Sequence, residues 1–376
     1  MTTLDVLLPH EDLGDSWRAA RPRPAGRHLD TAACSRQSNR VLEAVAHHAR
    51  HEAELGGYVA EATAGDLLQQ GRSVLGGLVG MAAADVVFVE SAQAALGALL
   101  AAWRLPAGAR VARLPGEYAP NAAQLRDAGL EAVPMAVDGD GRADVGALGR
   151  LLATDPPRLV HLTHVASHRG VVQPAAEVAA LCREHGVPLV LDAAQSLGHV
   201  DVDLGADVVY STSRKWLAGP RGVGVLCVRP SVTAQLRPVL PGPADLPPLR
   251  ALESGEAHVA GRVGLVLAVG EHLAAGPDRV RARLAALGRA TREVLDGAAG
   301  WRVVEPRDEP TATTTLRPPD GVDVVATRAR LLGEHGIVTT AIGVERAPEE
   351  MTGPVLRVSP HLDGTVEDLD ALAAAL

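Results

Sequence analysis

Aromatic side chains are scarce: one Phe, three Tyr and four Trp make up 2% of 376 residues. Each Tyr or Trp is therefore worth locating. Cysteine is scarce as well, and Cys34, Cys182 and Cys227 are odd in number and lack CxxC spacing. Neither a disulfide framework nor a zinc site is indicated; Cys182 and Cys227 fall in apolar patterns that suit a core. Long basic runs are missing and the formal net charge is -9, which argues against nucleic acid or an anionic membrane as the main partner. No apolar run approaches the roughly 18 residues of a membrane span. The first residues, MTTLDVLLPHEDLGDSW, carry acids where a secretory signal needs lysine or arginine. The expectation is a cytoplasmic protein that acts on small molecules.

Apolar residues make up 47% of the chain, ample for a sizeable core, and the length suggests two or three domains. From Asp85 onward strand and helix patterns alternate: VVFV then Ala92 to Trp103, ARVARL then Ala119 to Ala128, EAVPMAV then Asp144 to Leu152, RLVHLTHV then Ala175 to His185, and finally PLVLD, DVVYS and GVGVLCV. Such alternation predicts a largely parallel sheet with helices on both faces. Ahead of it, a short helix is expected around Leu13 to Ala20 and a strand or turn at HLDTAACS. A helix with Leu42, Val45, Ala46, Ala49 and Ala53 on one face should end at Gly56 and Gly57, and another runs from Gly65 to Gly80. The proline-rich stretch 238–248, PVLPGPADLPP, reads as a linker or gate. Two long helices follow, His258 to Ala275 and Arg279 to Leu295. Then WRVVE, TATTTL, VDVVATRARLLGEHG, IVTTAI, LRVSP and a final helix capped by Thr365 and Asp368 suggest a small α+β unit.

The chemistry gathers around STSRKWLAGPRGVGVLCV, residues 211–228. Lys215 lies between a hydroxyl cluster and a glycine-rich turn. A lysine amine can form an imine with an aldehyde, which is how lysines hold pyridoxal phosphate, and Thr212, Ser213 and Arg214 offer hydroxyls and a cation for a phosphate. A lysine between a strand and a turn can equally be solvated. A partner lies 23 residues upstream, where VPLVLDAAQS ends in Asp192. A carboxylate at the carboxyl end of a buried strand faces the crevice where open α/β sheets bind ligands. Paired with a pyridine nitrogen, Asp192 keeps it protonated and the ring becomes an electron sink; alone, it would cap the next turn. Gln195 can hydrogen-bond the ring's phenolic oxygen.

Together DAAQS and SRKWLAGPRGVGVL resemble the class V aminotransferase group of fold-type I pyridoxal-phosphate enzymes, over nearly the whole chain. The stretch LRVSPHLDGTVEDLD is similar to that group's Arg-x-Ser segment, whose arginine grips the substrate carboxylate. The resemblance implies an α/β fold with a large cofactor-binding domain, residues 30–245, carrying a mostly parallel, doubly wound sheet. A smaller α+β domain is then built from residues 1–29 and 246–376. It also implies a homodimer with the site near the subunit interface.

Residue by residue, Ser91 starts a helix directly after an apolar strand, leaving backbone N–H groups for an anion. The resemblance places the cofactor phosphate on Ala92 and Gln93. Tyr118 in GEYAPN stands where the group has a ring stacked on the cofactor, Asn121 matches that motif's asparagine, and the Tyr118 phenol can act as a general acid. In THVASHRG, Ser167 stands where asparagine is frequent, and His164 and His168 are candidates to touch cofactor or substrate. Arg214 replaces a histidine and keeps a permanent phosphate donor. Arg357 is the candidate for the substrate α-carboxylate. In ESGEAH, where the group often has a threonine that crosses the dimer interface to the phosphate, Glu256 cannot make that contact while ionised; Glu256 and His258 can instead face the substrate. His47 and His51 are one helical turn apart, but no HExxH glutamate accompanies them and no metal site is expected.

Cysteine desulfurases of this group need a nucleophilic cysteine ahead of the carboxylate arginine, and TAIGVERAPEEMTGP has none. Transamination, epimerisation of the isopenicillin-N type and β-elimination remain, beside a protein that binds the cofactor without turnover. HLDTAACSRQSNRVLEAVAHHARHEAELGGYVAEA and LESGEAHVAGRVGL resemble the actinobacterial carbon–sulfur lyases of ergothioneine biosynthesis. That implies β-elimination of hercynylcysteine sulfoxide, with pyruvate and ammonia as co-products. Tyr58, Trp17 and Trp216, with the acids Asp30, Glu52 and Glu256, are the candidates to hold its trimethylammonium group. Cys34 is either a thiol near the site entrance or, as the safer assumption, a packed and unreactive one.

Overall fold

Strand segments with every residue apolar must be covered on both faces, and helices from the intervening sequence supply the cover. The computed structural model describes residues 8–237 and 246–376. The chain begins with α1 (Glu11–Ala19), β1 (Arg27–His28), α2 (Asn39–Leu55) and α3 (Gly57–Leu78). Alternation follows: β2 (Val86–Val89), α4 (Ala92–Trp103), β3 (Arg110–Arg113), α5 (Ala119–Asp127), β4 (Glu131–Pro134), α6 (Val145–Thr154), β5 (Leu159–Thr163) and α7 (Ala175–Glu184). Next come β6 (Leu189–Asp192), β7 (Val208–Thr212), β8 (Gly224–Val228) and the short α8 (Pro230–Thr233). The remainder holds α9 (Val259–Ala275), α10 (Pro277–Leu295), β9 (Arg302–Val303), β10 (Thr314–Arg317), α11 (Val324–His335), β11 (Ile337–Val338), β12 (Thr340–Ile342), β13 (Val355–Val358) and α12 (Val366–Ala375).

The central sheet has the order β2-β8-β7-β6-β5-β3-β4. Only β8 runs against its neighbours, pairing antiparallel with both β2 and β7; the other pairings are parallel. The expected mostly parallel sheet with helices on both faces is what forms. One face packs Phe88, Val160, Leu162, Leu189 and Leu191 together with Val263, Val266 and Val269 of α9. The other packs Val87, Val111, Val190 and Val208 against Leu96, Leu99 and Trp103 of α4. Cys182 and Cys227 belong to the first of these cores.

A four-stranded sheet, β12-β13-β10-β9, carries the carboxyl-terminal segments. The early strand β1 pairs in parallel with β11, and Asp30 bridges to Ser359. β1 and β11 thus form a two-stranded sheet of their own, and the segment after β1 reaches the end of β13 through Asp30. The Thr365 and Asp368 capping box at α12 is present.

Several boundaries differ from the sequence reading. The helix expected from Gly65 begins at Gly57, because the break after α2 is a single residue, Gly56, at φ 88. EAVPMAV forms a strand only through Pro134, and IVTTAI divides into two strands at Thr339, the first on β1 and the second on β13. Of the proline-rich stretch 238–248, residues 238–245 lie outside the described residues. No single helix among the described residues is long and apolar enough to cross a membrane.

Candidate functional site

Register decides what meets at the carboxyl ends of the central strands. Thr163 of β5 stands opposite Asp192 of β6, and Asp192 opposite Tyr210 of β7. The turn that reverses the chain from β7 into β8 carries Lys215. It is closed by Ala218 N–H to the Lys215 carbonyl at 2.9 Å and by Gly219 N–H to the Ser213 carbonyl at 2.9 Å, with Ala218 in the left-handed region at φ 54. Gly224, entering β8, lets that strand pass the start of α4: a Cβ there would lie 2.6 Å from the Ser211 carbonyl oxygen and 2.9 Å from the Ser91 carbonyl carbon.

These elements enclose a cavity of about 360 Å³. It brings together Ala92, Gln93, Tyr118, Ser167, Asp192, Gln195, Thr212, Arg214, Lys215 and Arg357 from the sequence reading, with Cys34, Ser91 and Asn121. At its α4 end the Ser91 hydroxyl accepts from Ala94 N–H at 3.0 Å and the Ser91 carbonyl from Ala95 N–H. The helix thereby presents its first N–H groups, those of Ala92 and Gln93, to the cavity.

Lys215 is the single lysine of the sequence. Burial, then the neighbouring Arg214 guanidinium, brings its amine down to about 7, which leaves a nucleophilic fraction at neutral pH. Asp192 accepts from Ala194 N–H at 2.8 Å and from Asn121 Nδ2 at 2.8 Å; burial, then Glu117, holds its carboxyl above the usual range. Gln195 donates from Nε2 to the Ala32 carbonyl at 2.9 Å and accepts from Trp216 Nε1 at 3.1 Å, so one amide hydrogen remains for a ligand oxygen. Arg357 is buried, donates to the Ser167 carbonyl at 3.0 Å and pairs with Asp30 at 3.2 Å. Its Nε and the Ser167 hydroxyl are buried and lack partners among the described residues.

Other expectations are not met within the chain. The Ser213 hydroxyl turns to the Pro220 carbonyl and not to the cavity. His168 is held by Glu350 at 3.0 Å; His164 lies against a different cavity, where burial brings its ring down to about 4. Tyr58 is 82% exposed at the start of α3, and Glu256 and His258 are exposed before α9, away from this cavity. Trp216 is buried and stacks on His199, while Trp17 stacks on His361. Asp30 is committed to Arg357 and to the Thr340 hydroxyl at 2.6 Å, and Glu52 pairs with His48 at 3.3 Å. The sequence reading missed Arg346, whose guanidinium stands 5.4 Å from the Tyr118 ring centroid, and Arg221 and Thr340, which also line the cavity.

The cavity thus offers helix N–H groups and Arg214 for a dianion, a carboxylate, an amine, a half-buried phenol and a second cation. A family model described as aminotransferase class-V matches residues 27–372. A probable hercynylcysteine sulfoxide lyase of Mycobacterium tuberculosis is 56% identical over 97% of this chain and 93% of its own. A cysteine desulfurase of Thermococcus onnurineus, solved in its apo form, superposes with a TM-score of 0.84 over 100% of this chain and 98% of its own at 22% identity. A C-DES mutant with glycine covalently linked to its PLP cofactor superposes at 0.83 over 95% and 98%, at 19% identity. At such identities the two structures speak for the fold.

Proposed function

The chain belongs to the aminotransferase class-V family, and on that premise we propose that it is a pyridoxal-phosphate-dependent carbon–sulfur lyase that cleaves hercynylcysteine sulfoxide. The observation that carries this reading is the 56% identity, over nearly the full length of both chains, to a probable lyase of that substrate.

The residues fit the cofactor. The unpartnered Ser167 hydroxyl and the spare Gln195 amide hydrogen suit its phenolic oxygen. Ala92 and Gln93 N–H, Thr212 and Arg214 suit its phosphate, Asp192 its ring nitrogen, Tyr118 its face and Lys215 its aldehyde carbon. When bound, pyridoxal phosphate supplies an electron sink for the pair left when the substrate loses its α-proton.

The chain's own groups do the rest. Arg357 grips the α-carboxylate, its free Nε adding a donor to the fork. Lys215 takes the α-proton on Nζ, a task suited to an amine titrating near neutrality. The carbon–sulfur bond then breaks with its electron pair on sulfur, and Tyr118 donates a proton to the departing sulfenate. The three-carbon fragment hydrolyses to pyruvate and ammonia. TAIGVERAPEEMTGP lacks the loop cysteine of the desulfurases, and burial raises the thiol of Cys34, the cysteine that lines the cavity, above its usual range, which disfavours persulfide chemistry. In the cytoplasmic homodimer that completes this reading, residues 30–245 form the cofactor domain and residues 1–29 with 246–376 the smaller one. Tyr58, Glu256 and His258 then serve the partner's cavity.

The test is pyruvate release by the cofactor-loaded protein offered hercynylcysteine sulfoxide, free cysteine or a simple S-alkylcysteine sulfoxide. Fast release from the first alone is expected. No pyruvate from any of them would overturn the lyase reading in favour of transamination or epimerisation.

A further inference from the structure

Asp192 belongs to a network of five buried side chains. Glu117 Oε2 accepts from His161 Nδ1 at 2.7 Å, and His161 Nε2 reaches the Tyr210 hydroxyl at 2.8 Å. The Tyr210 hydroxyl also lies 3.2 Å from Asn121 Nδ2, and Tyr210 stands opposite Asp192 in the sheet. Asn121 Nδ2 donates to Asp192 at 2.8 Å and to Glu117 Oε1 at 3.0 Å, which ties Asp192 to the other four. Glu117 Oε1 also accepts from Tyr118 N–H at 2.9 Å and from the Thr163 hydroxyl at 2.8 Å.

A carboxylate and an imidazole as buried as Glu117 and His161 are costly to leave unpaired. Burial opposes both charges. For Glu117, His161, Thr163 and Asn121 outweigh it and hold the carboxyl below its usual range; for His161, Glu117 outweighs it and lifts the imidazole above its usual range. Both shifts favour the ionised, internally neutral form of the pair. Asp192, Tyr210 and Arg113 are the other titratable groups facing it, and Arg113 is itself paired with Glu349 at 2.6 Å.

We propose that Glu117 and His161 are positioning residues for the cofactor's ring nitrogen: they fix the orientation and charge of Asp192 through Asn121 and Tyr210, and Glu117 anchors Tyr118 at the same time. Asp192 can hold a proton on a ring nitrogen only while it is itself ionised. A lone Glu117 beside it would favour its protonation, and the His161 imidazolium cancels that charge. With His161 charged, Nε2 donates to the Tyr210 hydroxyl beside Asp192. One glutamate thereby ties the residue expected over the cofactor's face to the residue expected at its ring nitrogen.

The inference rests on the cofactor reading and not on the substrate, so the decisive measurement needs only pyridoxal phosphate. The dissociation constant and the pH midpoint of the bound cofactor's visible band are read for the wild type, His161→Gln, Glu117→Gln and the double variant, with thermal unfolding of each apo protein as the fold check. His161→Gln strands the Glu117 charge and is expected to weaken cofactor binding roughly tenfold and to move the midpoint. Glu117→Gln keeps an acceptor for Tyr118 and Asn121 and should be milder. The double variant removes both charges and should recover most of the loss. A merely structural pair gives additive losses with an unmoved midpoint, and that result overturns the proposal. If His161→Gln does not fold, Glu117→Gln decides: a midpoint identical to the wild type overturns it. A wild-type protein that binds the cofactor but releases no pyruvate removes the lyase reading and leaves this measurement intact.

Discussion

Arg357 Nη1 donates to the carbonyl oxygen of Ser167 at 3.0 Å, a bond that spans from β13 of the smaller sheet to the loop after β5 of the central one. The same guanidinium pairs with Asp30. Its direction is fixed from two sides before any substrate arrives, which lowers the ordering cost of gripping a carboxylate.

Arg357→Lys should therefore raise KM for the amino-acid substrate by roughly tenfold or more. A lysine cannot present a planar fork while also reaching Asp30 and Ser167. Cofactor absorbance should stay near wild type. Steady-state kinetics beside a cofactor titration check this, and an unchanged KM would remove Arg357 from the carboxylate site.

Because the sequence has one lysine, its amine can be followed without background from other ε-amines. The apo protein should take up pyridoxal phosphate faster as pH rises through about 7, since only the unprotonated amine attacks an aldehyde. The sign follows from burial and Arg214 depressing the amine. Stopped-flow absorbance between pH 5.5 and 9 is the measurement; a midpoint near the usual lysine value would contradict the depressed amine.

Tyr118→Phe keeps the ring against the cofactor and removes the phenol. Turnover should fall by about a hundredfold or more with the visible spectrum retained. Undiminished turnover would assign the leaving-group proton elsewhere.

Gly224→Ala would set a methyl group against backbone of both Ser211 and Ser91. The start of α4 must shift, and with it the Ala92 and Gln93 N–H groups. The expected outcome is a weaker cofactor affinity out of proportion to any loss in apo thermal stability. Equal affinities in the two proteins would show that β8 can move instead.

Much of this site was legible because local sequence carries it. Lys215, Asp192 and Gln195 sit in short motifs at strand ends, and Ala92 and Gln93 follow a strand-to-helix junction. Glu117, His161 and Tyr210 carried no such mark. His161 and Tyr210 lie inside apolar strands, and their meeting depends on β5, β6 and β7 lying side by side in that order. Tyr58 is marked by residue type and Glu256 by its place in ESGEAH, and the fold leaves both on the surface. The end of α2 was legible in Gly56 and Gly57, whereas the start of α3 at Gly57 was not, because a glycine that stops one helix gives no sign that another begins on it.

Ala32 N–H bonds the Ser359 hydroxyl at 3.0 Å across 327 residues of sequence, and Ala32 to Cys34 share the cavity with Arg357. Order of manufacture follows from that span. A growing polypeptide can lay down the central sheet, Lys215 included, and equip itself for pyridoxal phosphate while Arg357 is still unmade. The wall of the cavity that Arg357 forms is completed last, after β13 has cleared the ribosome and found the segment made near the start.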